Sequence, residues 1–278
     1  MLRRTLTVVA ALLLVGAPLS PAAAAPAAAA PYYLAIGDSL AQGVQPDAAG
    51  HSVKTNQGYA DDLWSRYHAA SPSLRLAKLG CPGETTSTMI VGGICSYAGG
   101  SQLAAATAFL ASHRVAFVTI DIGANNVDNC VSGTGLNQDC LARGLAAAIH
   151  DLPIILGALR QAAPTVHMVG MTYYDPFVAA ALKGGAFTAL AIQSETVAAS
   201  FNATLAGAYG AKGFAVADVA AAFAPLNLPT MPALDLPVDL VTICALTWMC
   251  EPAPIGPNIH ANAVGYDTIA VAFERKLG

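Results

Sequence analysis

Five short apolar runs, 32–36, 74–79, 115–120, 166–171 and 213–217, alternate along this chain with longer stretches of helical periodicity at 59–69, 101–112, 141–163, 187–209 and 261–277. Strands separated by helices cannot pair as hairpins. Each connection has to cross over the sheet, so the strands run parallel and the helices cover both faces. The fold class is therefore α/β, doubly wound. In such folds ligands sit beyond the carboxyl ends of the strands, and three glycine-containing loops fall there: 37–40, 80–86 and 123–128. The pattern fails over 224–257, where Pro225, Pro229, Pro232, Pro237, Pro252, Pro254 and Pro257 interrupt any regular element. A long loop is expected there, ordered by Cys244, Cys250 and Trp248. Hydrophobic residues make up 55 % of the chain and charged residues 11 %, which suits strands buried on both faces.

The first residues carry Arg3 and Arg4, then an apolar stretch over 6–17, Pro18 and an alanine-rich tract to Ala30. This is the pattern of a secretory signal peptide, with cleavage expected near Ala24, Ala25 or Ala30. No later segment reads as a membrane helix. Residues 1–30 are thus read as leader and 31–278 as one catalytic domain, exported and monomeric. Loss of Arg3 and Arg4 takes the formal charge from −4 to −6, and no basic cluster remains to neutralise a phosphate backbone, so nucleic acid is an unsuitable partner. Six cysteines in an exported chain point to disulfides. Sequential pairing, Cys81 with Cys95, Cys130 with Cys140 and Cys244 with Cys250, brackets three short loops. Their spacings lack the knuckle of a zinc site.

Gly37-Asp38-Ser39-Leu40 follows the first apolar run, where a strand ends and the chain turns toward a helix. A serine there is placed as a nucleophile, with helix-start N–H groups to bind developing charge. Asp38 beside it is read as structuring the turn. Acyl transfer also needs a base and donors for the oxyanion. His260 lies just before the last helical stretch, where a loop can swing its imidazole over the sheet edge. In 80–86, Gly83 leaves a backbone N–H unshielded; in Gly123-Ala124-Asn125-Asn126, a side-chain amide adds a further donor. The remaining histidines, His51, His68, His113, His150 and His167, show no ligand spacing. Trp248 and Tyr266 are candidates either for an acyl groove or for packing.

These four blocks, in this order and spanning nearly the whole mature chain, resemble the SGNH hydrolases, the GDSL lipase/esterase superfamily, and most closely its secreted actinobacterial members. The resemblance maps its four letters onto Ser39, Gly83, Asn125 and His260. It implies a flavodoxin-like three-layer α/β/α sandwich with a central, mostly five-stranded parallel sheet. It also implies a cofactor-free, metal-free hydrolase that cleaves small-molecule or lipid carboxylic esters through an acyl-enzyme on Ser39. Ser39, Gly83 and Asn125 would form the oxyanion hole, and His260 would act as base. Carbohydrate deacetylation, acyl transfer to a lipid acceptor, and a catalytically silent cell-envelope binding protein on the same fold are the alternatives. Two positions depart from the pattern: Asn126 replaces an aspartate, and Pro257 stands where a carboxylate would orient the histidine. Asn126 is expected to hold its loop by a local hydrogen bond. The orienting group for His260 is expected to be a backbone carbonyl such as that of Pro257, with Asp235, Asp239 and Glu251 as rivals.

Overall fold

A computed structural model describes residues 29–133, 135–223 and 238–278. Its centre is a five-stranded parallel sheet of β1 (Tyr32–Gly37), β2 (Arg75–Lys78), β3 (Val115–Asp121), β4 (His167–Met171) and β5 (Ala215–Ala217), in the order β2-β1-β3-β4-β5. That order is the flavodoxin-like form of the doubly wound fold, with its topological switch between β1 and β3. The strands are those expected from the apolar runs, and the reason is burial. Tyr33, Leu34, Ala35 and Ile36 in β1 and Val118 and Ile120 in β3 have no exposed surface.

The main helices are α1 (Tyr59–Ala70), α2 (Thr86–Val91), α3 (Gln102–Ser112), α4 (Gln138–Ala162), α5 (Ala186–Ala211), α6 (Val219–Phe223), α7 (Val238–Leu246) and α8 (Ala263–Leu277). Helix α1 packs beside α8, while α4 packs between α3 and α5. Helix α4 is long and apolar enough to cross a membrane, which the sequence pattern did not bring out. In the fold it is a core helix: Ala148, Leu152, Ile155, Leu156 and Leu159 are fully buried.

Three short elements depart from expectation. Residues 86–91, of which only Thr86 falls in an expected loop and the rest in no expected element, form α2, capped by the Thr85 hydroxyl accepting from the Thr88 N–H. The proline-interrupted stretch contains α7, which packs Leu240 and Ile243 into the core. Residues 258–261, read as loop up to a last helix beginning at Ala261, form a short strand, Asn258–Ala261, paired antiparallel with Thr247–Trp248. Helix α8 begins at Ala263 because the Asn262 side chain accepts from the Gly265 N–H. Gly265 itself permits a close crossing, since a Cβ there would lie 2.0 Å from the Leu246 carbonyl oxygen. The three sequential cysteine pairs are all disulfides. Residues 1–28 of the leader, Asp235 and the Asp239 side chain lie outside the described residues.

The crossing of β1 and β3 at their carboxyl ends depends on Gly37. Its φ is +133°, and a Cβ would stand 1.9 Å from the Asp121 carbonyl oxygen. Gly37→Ala therefore combines a left-handed backbone with a clash against a rigid strand, and should lower stability by about 3 kcal/mol or more. Urea unfolding followed by circular dichroism checks this; an unchanged midpoint would mean that the two strand ends are free to separate.

Candidate active site

Residues 38–43, after β1, form a series of turns and not the start of a helix. The turn is closed by the Val44 N–H donating to the Ser39 carbonyl (3.1 Å) and the Gly43 N–H donating to that of Leu40 (3.0 Å). Side chains fix it from below. Asp38 Oδ1 accepts from the Leu40 N–H (3.0 Å) and its Oδ2 from the Tyr173 hydroxyl (2.9 Å), so Asp38 does structure the turn. Asp121, the last residue of β3, accepts through Oδ2 from the N–H groups of Asp38 (3.2 Å) and Ala41 (3.1 Å) and through Oδ1 from the Tyr59 hydroxyl (2.5 Å).

Asp38 and Asp121 are both buried and interact directly. Burial raises the pKa of each, and for Asp121 the neighbouring Asp38 charge raises it further. Out of water, a negative charge on either of two neighbouring carboxyls disfavours one on the other. Asp121 was not singled out by sequence reasoning. The available signal was a carboxylate ending a strand that is otherwise buried.

The loop after β3 turns through Ala124–Asn126, and the Asn126 N–H donates to the Gly123 carbonyl (3.0 Å). Asn125 Nδ2 donates to the Glu84 carbonyl (3.0 Å), which fixes the amide orientation and leaves its second N–H available. Asn126 does hold its loop: Oδ1 accepts from the Thr86 N–H (3.0 Å) and Nδ2 donates to the Thr86 hydroxyl (2.8 Å). The 80–83 segment lies against the Ser39 turn, with the Cys81 N–H on the Gly37 carbonyl (3.0 Å) and Gln42 Nε2 on the Gly80 carbonyl (2.8 Å). Gly83 has φ +82° with open space around it, so its conformation and not crowding calls for glycine.

His260 sits on the Asn258–Ala261 strand, whose partner Thr247–Trp248 lies within the loop closed by the Cys244–Cys250 disulfide. Tyr174 pins this strand by donating to the Ile259 carbonyl (2.8 Å). Among the described residues, the group on His260 Nδ1 is neither the Pro257 carbonyl nor a carboxylate. It is Asn258 Oδ1, at 2.7 Å, which also accepts from the His260 N–H (3.0 Å). Glu251 is exposed and makes no bond to the ring. Burial pushes the imidazole pKa down to about 4.

Ser39, Asn125 and His260 line one cavity at the carboxyl edge of the sheet. Among the described residues no direct hydrogen bond joins the serine and histidine side chains; contacts of this kind commonly tighten only around substrate. Gly83 does not line the cavity, although its loop adjoins the Ser39 turn. The cavity wall is largely apolar, lined by Val127, Val131, Leu136 and Leu141 and by Val197 and Phe201 of α5. Tyr173, Tyr174 and Phe177 supply further aromatic surface. Neither Trp248 nor Tyr266 lines it: Tyr266 is wholly buried and donates to the Val44 carbonyl (2.7 Å). Three carboxyls, Asp38, Asp128 and Asp175, also border the cavity, and burial raises the Asp128 pKa to about 8.

The family model described as the GDSL-like lipase/acylhydrolase family matches residues 35–268. The chain belongs to that family. This GDSL-like chain shares its fold with a phospholipase A1 from Streptomyces albidoflavus NA297 and an extracellular lipase from Streptomyces rimosus. Each superposes with a TM-score of 0.56 at 19 % identity, over 89 % of this chain and 100 % of the other. A lipase from a goat rumen metagenome superposes with a TM-score of 0.52 at 13 % identity, covering 88 % of this chain and 97 % of its own. No curated protein sequence matches the GDSL-like chain.

The buried carboxyl pair makes stability depend on pH. Both groups have folded-state pKa values above their unfolded ones, so the folded protein binds the extra proton and its stability falls as pH rises from about 4 through the folded values. Asp121→Asn keeps an acceptor for the turn and removes one of the two titrating groups. Urea midpoints at pH 5 and pH 8 should therefore lie closer together in Asp121→Asn than in the natural chain; an equal or larger gap would show that this pair does not set the dependence.

Proposed function

We propose that this chain is a secreted serine ester hydrolase acting on acyl esters. The observation that carries the proposal is the meeting of Ser39, Asn125 and His260 around one apolar-walled cavity, although most of the polypeptide separates the serine from the histidine. Ser39 Oγ attacks the ester carbonyl as His260 Nε2 takes its proton, and the carbonyl π electrons move onto oxygen. The Ser39 N–H and the Asn125 amide, both on the cavity wall, hold that oxyanion. The proton on His260 then passes to the departing alkoxide. Water, deprotonated by the same ring, releases the acid from the acyl-enzyme. Family membership supports hydrolase chemistry, and the apolar wall supports acyl chains longer than acetyl in preference to carbohydrate deacetylation. The Arg3-Arg4 leader pattern and three disulfides support export.

Ser39→Ala should abolish fluorophosphonate labelling and lower turnover of a p-nitrophenyl ester by about 10⁴-fold or more. Asn125→Ala should cost about 10²–10³-fold in kcat. Turnover that survives in Ser39→Ala would reject the serine mechanism. Octanoate should be cleaved faster than acetate, and the reverse order would favour deacetylation.

The base must be neutral to accept a proton, and its lowered pKa keeps it neutral well below the usual histidine range. The acid limb of kcat/KM should therefore fall near pH 4, with activity retained at pH 5.5. A limb near pH 6.5 would show that the ring is solvated during turnover.

A further inference from the structure

We propose that Asn258, pinned in turn by Ser52, is the group that fixes His260 as the Nδ1–H tautomer. This rests on the reading of His260 as the general base.

The orientation of the Asn258 amide is decided by a main-chain group. The His260 N–H can only donate, so the amide atom 3.0 Å from it is the oxygen. The same oxygen lies 2.7 Å from His260 Nδ1. An acceptor at that distance requires a proton on Nδ1, and a neutral ring with its proton there presents a bare lone pair on Nε2. The other end of the amide is also assigned, because Asn258 Nδ2 donates to the Ser52 hydroxyl at 3.1 Å. A flipped amide would set an N–H group against two donors on one side and give up its donor to Ser52 on the other.

The location of Ser52 gives the contact a second consequence. Ser52–Val53 pairs antiparallel with Gln45–Pro46, which follows directly on the turn bearing Ser39. The Ser52–Asn258 bond therefore ties the segment that carries the serine to the strand that carries the histidine. Asn258 and Ser52 are positioning residues, since they act through His260 and not on substrate.

An amide also differs from a carboxylate in what it does to the proton held during catalysis. It orients the ring but adds no negative charge beside the imidazolium. Asp38, Asp128 and Asp175, with Tyr173 and Tyr174, are the other titratable groups on the cavity wall, yet burial is the cause of the depressed imidazole pKa. The histidine thus stays a neutral base in mildly acidic solution, where a carboxylate-paired histidine would already carry a proton.

The test uses the whole protein with uniformly ¹⁵N-labelled histidine, His260 being assigned by the signal lost in His260→Ala. The natural chain should show His260 as the Nδ1–H tautomer at pH 7, and Asn258→Ala should show a mixture of tautomers. In the same variant, kcat for a p-nitrophenyl ester should fall about 10- to 100-fold, as expected for loss of one orienting hydrogen bond, with KM little changed. Asn258→Asp, which keeps both acceptor contacts and so preserves the local fold, should restore kcat at pH 8. It should also move the acid limb of kcat/KM upward by about one to three pH units, leaving it less active than the natural chain at pH 5. Ser52→Ala should lower kcat several-fold in the natural chain and by a smaller factor in Asn258→Asp, whose symmetric carboxylate cannot be flipped.

An unchanged tautomer in Asn258→Ala, or an unmoved acid limb in Asn258→Asp, would overturn the proposal. Full turnover in Ser39→Ala or His260→Ala would instead overturn the serine mechanism, and the nitrogen spectra would still decide whether Asn258 sets the proton.

Discussion

The buried carboxyl of Asp121 is the point on which the Ser39 turn is built. It collects the N–H groups of Asp38 and Ala41 and the hydroxyl of Tyr59, so one side chain at the end of β3 joins β1, the turn and α1. Burying an acid here is tolerable because its oxygens accept three hydrogen bonds and because burial, with Asp38 beside it, raises its pKa. The same contact explains Gly37. Strands β1 and β3 must approach closely enough for the Asp38 N–H to reach both the carbonyl and the carboxyl of Asp121. Only a residue without Cβ leaves room for that approach.

The histidine arrives by a different route. It is held on a two-residue-paired ribbon whose partner strand is shortened into place by the Cys244–Cys250 disulfide, while Tyr174, from the loop after β4, anchors its backbone. Helix α8 then carries the chain back under the turn, where Tyr266 bonds to the Val44 carbonyl. Serine and histidine are thus positioned by separate devices that meet through Tyr266 and through Ser52 with Asn258. Sites held by packed strands and satisfied buried polar groups keep their geometry better than sites on free loops.

Much of this was legible in the chain. The apolar runs fixed the strands because a parallel strand covered on both faces needs an unbroken apolar stretch, and the disulfides followed from short sequence separations. The helix α7 was hidden because proline density around it suggested an unbroken loop. The strand bearing His260 was hidden because Asn258–Ala261 is too short to show a period. Trp248 and Tyr266 were ambiguous for a general reason: an aromatic near a site has the same composition whether it faces a cavity or the core.

The sequence alone determined the α/β class, the four ordered blocks, the paired cysteines and the absence of a carboxylate at position 257, because each is a matter of residue type and spacing. Only the tertiary structure decided what replaces that carboxylate. Asn258 lies two residues before the histidine, and nothing in the order of residues says that its amide oxygen curls back onto Nδ1 while Ser52, more than two hundred positions earlier, holds the other end. Hydrogen bonds depend on distance and direction in space, and those are set where separate elements pack, not along the chain.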